Sequence, residues 1–238
     1  MKTRTIGVLS IITLGLTSVW VLLLITGIVL KGTVDTFEQA VTYSANPDWI
    51  FFATYLNAVL LTLGVTALFA GWYVHLRSKA PASAMFGLVF IPIYSVLNLF
   101  SYLSQITLLP RLQAFLQIPE YQTTARLMLA MLAQPWSGSA VYVMNNLAYA
   151  VLAIPSILYG VEFVKAKGTW RLAGILLIIN GMACIVAMIG IITGIQILAI
   201  GSLIGGAFFL AALVPLSVSF LRLAQYHDGK RPRSMISD

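Results

Sequence analysis

Long apolar runs alternate with short polar breaks along the chain, and six of the runs reach the length a helix needs to cross a bilayer, about 20 residues at 1.5 Å each. They lie at 6–30, 49–74, 83–109, 139–163, 172–192 and 197–221. This pattern predicts an all-α polytopic membrane bundle, a single domain over 1–223 followed by a polar tail over 224–238. Within the runs the polar positions cluster. On the third, Tyr94, Ser95, Asn98, Ser101, Tyr102 and Gln105 fall in an arc of about 120° at 100° per residue. On the fourth, Tyr142, Asn145, Asn146, Tyr149, Ser156 and Tyr159 cover about 140°. The second run carries Asn57, Gly64 and Gly71 on one side and Tyr55, Thr62, Thr66 and Tyr73 on the other, so both faces are expected to touch protein, the glycine face closely. Gly201 and Gly205 form a small-xxx-small pair in the sixth run, which serves close packing within the chain or between copies.

The breaks carry their own signals. Asp35 and Glu38 read as a capping box opening a short helix, and Asn46, Pro47 and Asp48 suit N-cap, N1 and N2 of the second span. The long break over 110–138 holds two short amphipathic faces, Leu112, Phe115 and Leu116, then Leu127, Met128, Met131 and Leu132, separated by Pro119. Both are expected to lie on the outer surface or to fold back over the bundle. Gly168 and Thr169 end one helix and cap the next, and the four residues between the fifth and sixth runs make those spans antiparallel neighbours. Shifting the second span by 88 residues lays Asn57 on Asn145, Arg77 on Lys165 and Lys79 on Lys167, an echo that a duplicated hairpin would leave.

Composition sharpens the membrane reading. Residues are 60% hydrophobic and 9% charged, against about 25% charged in a soluble domain. The net charge of +7 would suit nucleic acid, but the basic residues gather at alternate breaks. Eleven (Lys2, Arg4, Arg77, Lys79, Lys165, Lys167, Arg171, Arg222, Lys230, Arg231 and Arg233) fall on one side and three (Lys31, Arg111 and Arg126) on the other. The positive-inside rule then puts both termini in the cytoplasm of a plasma membrane, with anionic headgroups as a second use of the basic loops and no nucleic acid partner. The first run, about 25 residues without a small-x-small cleavage pattern, reads as an uncleaved anchor.

Candidate chemistry is sparse. No span has a mid-membrane lysine for a Schiff base, and His75, His227 and the lone Cys184 do not cluster as metal or haem ligands. Glu162 is the one carboxylate near a span interior, and Lys165 three residues on is its expected partner. No phosphate loop or dinucleotide fingerprint occurs. Ser137 to Ser139 lack a base within reach and are expected to cap the fourth span. No catalytic residue, metal site or cofactor is therefore expected. What remains is the polar and aromatic lining of the third and fourth spans. Tyr94, Asn98, Tyr102, Gln105, Tyr142, Asn145, Asn146 and Tyr149 either form an outward-opening cleft for a neutral or lipid-like molecule or hold helices together at about 0.6 kcal/mol per bond.

From Leu147 to Val186 the chain joins an apolar span with an internal proline, a short basic turn and the helix RLAGILLIINGMA. In that stretch it resembles a family of uncharacterised prokaryotic six-span membrane proteins, a domain of unknown function. The N-terminal half is similar in span order and loop placement alone. The resemblance implies a six-span topology and brings no catalytic residue with it. The reading is a binding, sensing or accessory membrane component, alone, as a homo-oligomer or with a membrane protein partner; the alternative is a carrier for a small neutral or lipid-like molecule.

Overall fold

The computed structural model describes residues 3–229 and is all-helical there. In chain order the helices are α1 (Thr3–Lys31), α2 (Phe37–Ala45), α3 (Trp49–Leu76), α4 (Pro81–Phe115), α5 (Gln122–Leu132), α6 (Ala140–Val164), α7 (Thr169–Thr193), the single turn α8 (Gln196–Ala199) and α9 (Gly201–Gly229). Six stretches are long and apolar enough to cross a membrane: α1, α3, α4, α6, α7 and the run from α8 through Tyr226. By length and composition this is a polytopic membrane protein.

Each long helix packs on the one before it, and α9 returns to α1, so the six form a ring. Short turns join α3 to α4, α6 to α7 and α7 to α9, which makes each of those pairs antiparallel. Gly168 and Gly194 sit in the last two of these turns at φ of 66° and 73°, where a side chain would be strained. One end of the ring, here the basic end, carries Arg77, Lys79, Lys165 and Lys167 in its turns. The other carries α2 and α5, which pack on each other as a cap through Ala40, Val41, Ala130 and Ala133, with the Phe37 and Trp136 rings 6.0 Å apart.

Glycines set the tightest seams, because without a hydrophobic drive between helices in lipid, close approach supplies the attraction. A Cβ on Gly174 would lie 2.5 Å from the Gly160 carbonyl oxygen, and one on Gly181 would lie 2.8 Å from that of Ala153, so α6 and α7 touch backbone to backbone. Gly201 and Gly205 press onto Ala183 and Cys184 of α7, a close contact within the chain. Gly64 lies against Thr13 of α1, Gly71 is buried, and Asn57 Nδ2 donates to the Leu16 carbonyl at 3.0 Å, so this face of α3 serves α1. At the basic end Glu162 accepts from Lys165 Nζ at 2.7 Å and from Ser83 Oγ at 3.2 Å.

Four boundaries differ from expectation. Helix α4 runs through Pro110 to Phe115, so the first expected amphipathic piece is an extension of the third span. Leu109, Leu112 and Leu116 pack with Phe51 and Leu129, and that apolar contact sustains the helix past the proline. The capping box is Thr36 with Gln39: Thr36 Oγ1 accepts from the Gln39 amide, and Gln39 Oε1 accepts from the Thr36 amide. The Asp35 carboxylate is turned instead to the Thr33 hydroxyl at 2.6 Å. Asp48, not Asn46, caps α3, accepting from Phe51 N at 2.8 Å, while Asn46 donates back to the Thr42 carbonyl of α2. Finally α9 continues to Gly229, through the first part of the expected tail. Residues 230–238, with Lys230, Arg231 and Arg233, and Lys2 near the start, lie outside the described residues.

Candidate functional site

The polar arcs of α4 and α6 meet. Tyr102 and Tyr149 bring their hydroxyls to 2.6 Å across that seam, and the Tyr94 and Tyr149 rings lie 6.4 Å apart. Asn98 Nδ2 reaches the other way, donating to Thr62 Oγ1 of α3 at 3.1 Å and to the Tyr94 hydroxyl at 3.2 Å. Ser95 and Thr66 pair at 2.6 Å one turn nearer the basic end. The same spacing that gathers these groups on one side of each helix therefore turns them into the ring.

There all of them but Ser95 and Thr66 line a cavity of about 560 Å³ beneath the cap. Tyr94, Asn98, Tyr102, Tyr142, Asn145, Asn146 and Tyr149 all contribute to it. Gln105, the eighth residue of the expected set, is not among the lining residues. Its amide holds the cap instead, donating to the Leu132 carbonyl at 2.7 Å and accepting from Gln134 N at 3.3 Å. The cap is fastened further by Ser44 Oγ on the Leu129 carbonyl and by the ion pair of Arg126 with Glu38. Tyr55 Oη joins it to α3 through Gln134 Oε1 and Tyr43.

Two polar atoms here lack partners. Asn98 Oδ1 and Asn145 Nδ2 make no hydrogen bond, although their residues are 1% and 2% exposed. A buried amide left unpaired costs about 1–3 kcal/mol, so such groups need a use or a ligand. Asn145 and Asn57, superposed by the internal echo, do different jobs: Asn57 is satisfied against α1, and Asn145 faces the cavity.

The lining also includes groups that periodicity on α4 and α6 could not supply. Trp20, Leu24 and Gly27 come from α1, Gly206, Ala207 and Leu210 from α9, and Asn180 with Cys184 from α7. Asn180 is spoken for: it donates to Ser156 Oγ at 3.2 Å and accepts from Cys184 Sγ at 3.7 Å. In the glycine doublet 205–206 of α9 one glycine packs on α7 and the other faces the cavity, and no periodicity in the sequence marks the second.

At the rim Lys31 forms an ion pair, and the Asp35 carboxylate, also on the lining, accepts from the Thr33 hydroxyl. Lys31 Nζ lies 2.9 Å from Asp48 Oδ1. Partial burial works to raise the Asp48 pKa, but the Phe51 amide and Lys31 outweigh it and hold the carboxyl below its usual range. Burial pushes the Tyr43 phenol up, against a smaller lowering by its bond to Tyr55. The arrangement offers neutral hydrogen-bonding groups in the depth of the cavity and, at its mouth, the Lys31–Asp48 ion pair and the Asp35 carboxylate.

Among the described residues no three His, Cys, Asp or Glu side chains group as metal ligands. Comparison with protein-family models, with curated proteins and with solved structures finds no match, so the chain stands as a helical membrane protein with six candidate spans and no identified family.

Proposed function

We propose that this protein is a non-enzymatic binding component of the plasma membrane that holds a small neutral or lipid-like molecule in the cavity under the α2–α5 cap. The observation that carries this reading is the pair of buried, unpartnered amide atoms, Asn98 Oδ1 and Asn145 Nδ2, on a cavity of ligand size. One atom seeks a donor and the other an acceptor, and phenols stand beside them. The excess of basic residues at the opposite end favours the cap facing outward and both termini facing the cytoplasm.

A carrier is the second reading, supported by Pro92, Pro155 and Pro215 inside α4, α6 and α9. It requires the aromatic packing between the cavity and the basic end to part, and these prolines are where the helices bend most readily.

Native mass spectrometry of protein released from mild detergent tests the binding reading. A defined adduct is expected on the wild type and not on the Asn98→Leu, Asn145→Leu double variant. A wild type that flies bare, or a variant that keeps the same adduct, contradicts it and leaves water as the partner of the two amides.

A further inference from the structure

The seam between α1 and α9 is closed at one end and parted at the other. At the basic end a Cβ on Gly7 would lie 2.9 Å from Leu221 Cδ2 and 3.3 Å from the Leu221 backbone nitrogen. The buried residues of α1 are Ile6, Gly7, Ser10, Thr13 and Thr17, and none follows Thr17. In the capped half a Cβ on Gly27 of α1 or on Gly206 of α9 meets nothing within 4 Å. Both glycines line the cavity, together with Leu23, Leu24, Leu203 and Ala207. The other flank of α9 is shut at the same height, where Gly201 and Gly205 press on α7. The cavity thus runs out sideways, through an apolar slot between α1 and α9, while Tyr43 and Gln134 of the cap region lie over its end.

A deep set of neutral donors and acceptors continuing into an apolar slot matches a molecule with an uncharged polar head and a hydrocarbon tail. The cation at the mouth, Lys31, is already paired with Asp48, which disfavours a phosphate head. A hydroxyl can donate to Asn98 Oδ1 and accept from Asn145 Nδ2, so alcohol chemistry satisfies both orphan atoms. Building on the binding reading above, we infer that the α1–α9 slot is a lateral portal through which a neutral lipid alcohol enters from the bilayer, its head reaching Asn98 and Asn145 and its tail lying between Gly27 and Gly206. The ligand reaches the protein by partitioning into the membrane, and the cap keeps water from following it.

The test uses the full chain in phosphatidylcholine vesicles doped with a monoacylglycerol that carries a diazirine in its acyl chain. Illumination and peptide mapping show where the tail lies. Label is expected on α1 beyond Thr17 and on α9 from Gly201 to Leu210, above the level on lipid-facing Val96. Plugging either wall, by Gly206→Trp or Gly27→Trp, slows that labelling about tenfold. Gly15→Trp, on an open position of α1 outside the cavity lining, labels as the wild type does. The Asn98→Leu, Asn145→Leu variant, with the slot intact, loses about tenfold in labelling at equilibrium. No label above background on the wild type overturns both the portal and the binding reading. Cavity labelling at the wild-type rate in a folded tryptophan variant overturns the portal alone, since the ligand then enters through the cap. Should both tryptophan variants fail to fold, the wild-type map still decides, because label confined to α4 and α6 beneath the cap also overturns the portal.

Discussion

The same six helices build two unlike halves. Toward the basic end the ring is filled by side chains: Phe69 and Trp72 lie tilted together at 4.5 Å, Trp72 meets Phe163 at 5.9 Å, and Trp170 meets Phe220 at 4.7 Å. Leu68, Leu177, Leu213 and Leu216 complete that packing at 0% exposure. Toward the cap the interior holds a cavity whose largely apolar wall is set with amides, phenols and glycines. In a bilayer, apolar residues gain nothing by leaving lipid, so helices hold together by contact and by hydrogen bonds. The filled half supplies contact. The capped half gives up part of it for a cavity lined by the unpartnered Asn98 Oδ1 and Asn145 Nδ2; Trp72 Nε1 in the filled half and Thr13 Oγ1 on α1 also lack partners, so the contrast between the halves rests on the cavity.

Variants can break that contrast, and the largest effect belongs to the filled half. Trp72→Ala removes a fully buried ring with two aromatic neighbours and is expected to cost about 3–5 kcal/mol in reversible unfolding from lipid-detergent mixtures. A loss below 1 kcal/mol would mean that the packing there is loose. Next comes Gly174→Ala, whose methyl would be driven against the Gly160 carbonyl and the Val164 amide. The α6–α7 seam must then separate, at about 2 kcal/mol by the same assay. In the capped half, Asn98→Leu with Asn145→Leu removes the bonds to Thr62 and Tyr94 but also the orphan atoms, so the net change should stay near or below about 1 kcal/mol.

The smallest effect is at the rim. Asp48 has its pKa lowered on folding, so it contributes stability above the unfolded carboxylate value of 3.8 that is lost as pH falls through the folded one. Melting temperatures of wild type and Asp48→Asn should differ at pH 7 and converge as the pH falls through the lowered folded value. A gap that is constant across this range would show that Lys31 and the Phe51 amide do not act on the charge.

Hydrophobic length made the spans legible, because lipid demands it of every crossing helix irrespective of neighbours. The polar arcs on α4 and α6 were legible for a similar reason: a helix cannot leave asparagine and tyrosine hydroxyls scattered toward lipid. Seven of the eight residues so identified line the cavity. Gln105 shares the arc but lies seven residues beyond Asn98, about 10 Å along the axis, at the height where the cap needs an anchor. The continuation of α4 through Pro110 was hidden, since what sustains it is contact with Phe51 and Leu129, distant in sequence. So was the α1–α9 slot. Gly27 and Gly206 look in sequence like any other small residues in an apolar run, and only the divergence of their helices gives them a role.

One measurement bears on the central claim, that the filled half serves the fold and the capped half serves a ligand. Melting temperatures of wild type, Trp72→Ala and the Asn98→Leu, Asn145→Leu variant are compared with and without 1-monoolein. A ligand that binds the folded state raises the melting temperature by mass action. The account predicts a rise of a few degrees in wild type, the same rise from a lower starting point in Trp72→Ala, and an unchanged starting point with no rise in the double variant. The opposite pattern, no rise in wild type and a double variant that melts as low as Trp72→Ala, would make the asparagines part of the scaffold and contradict the division between the two halves.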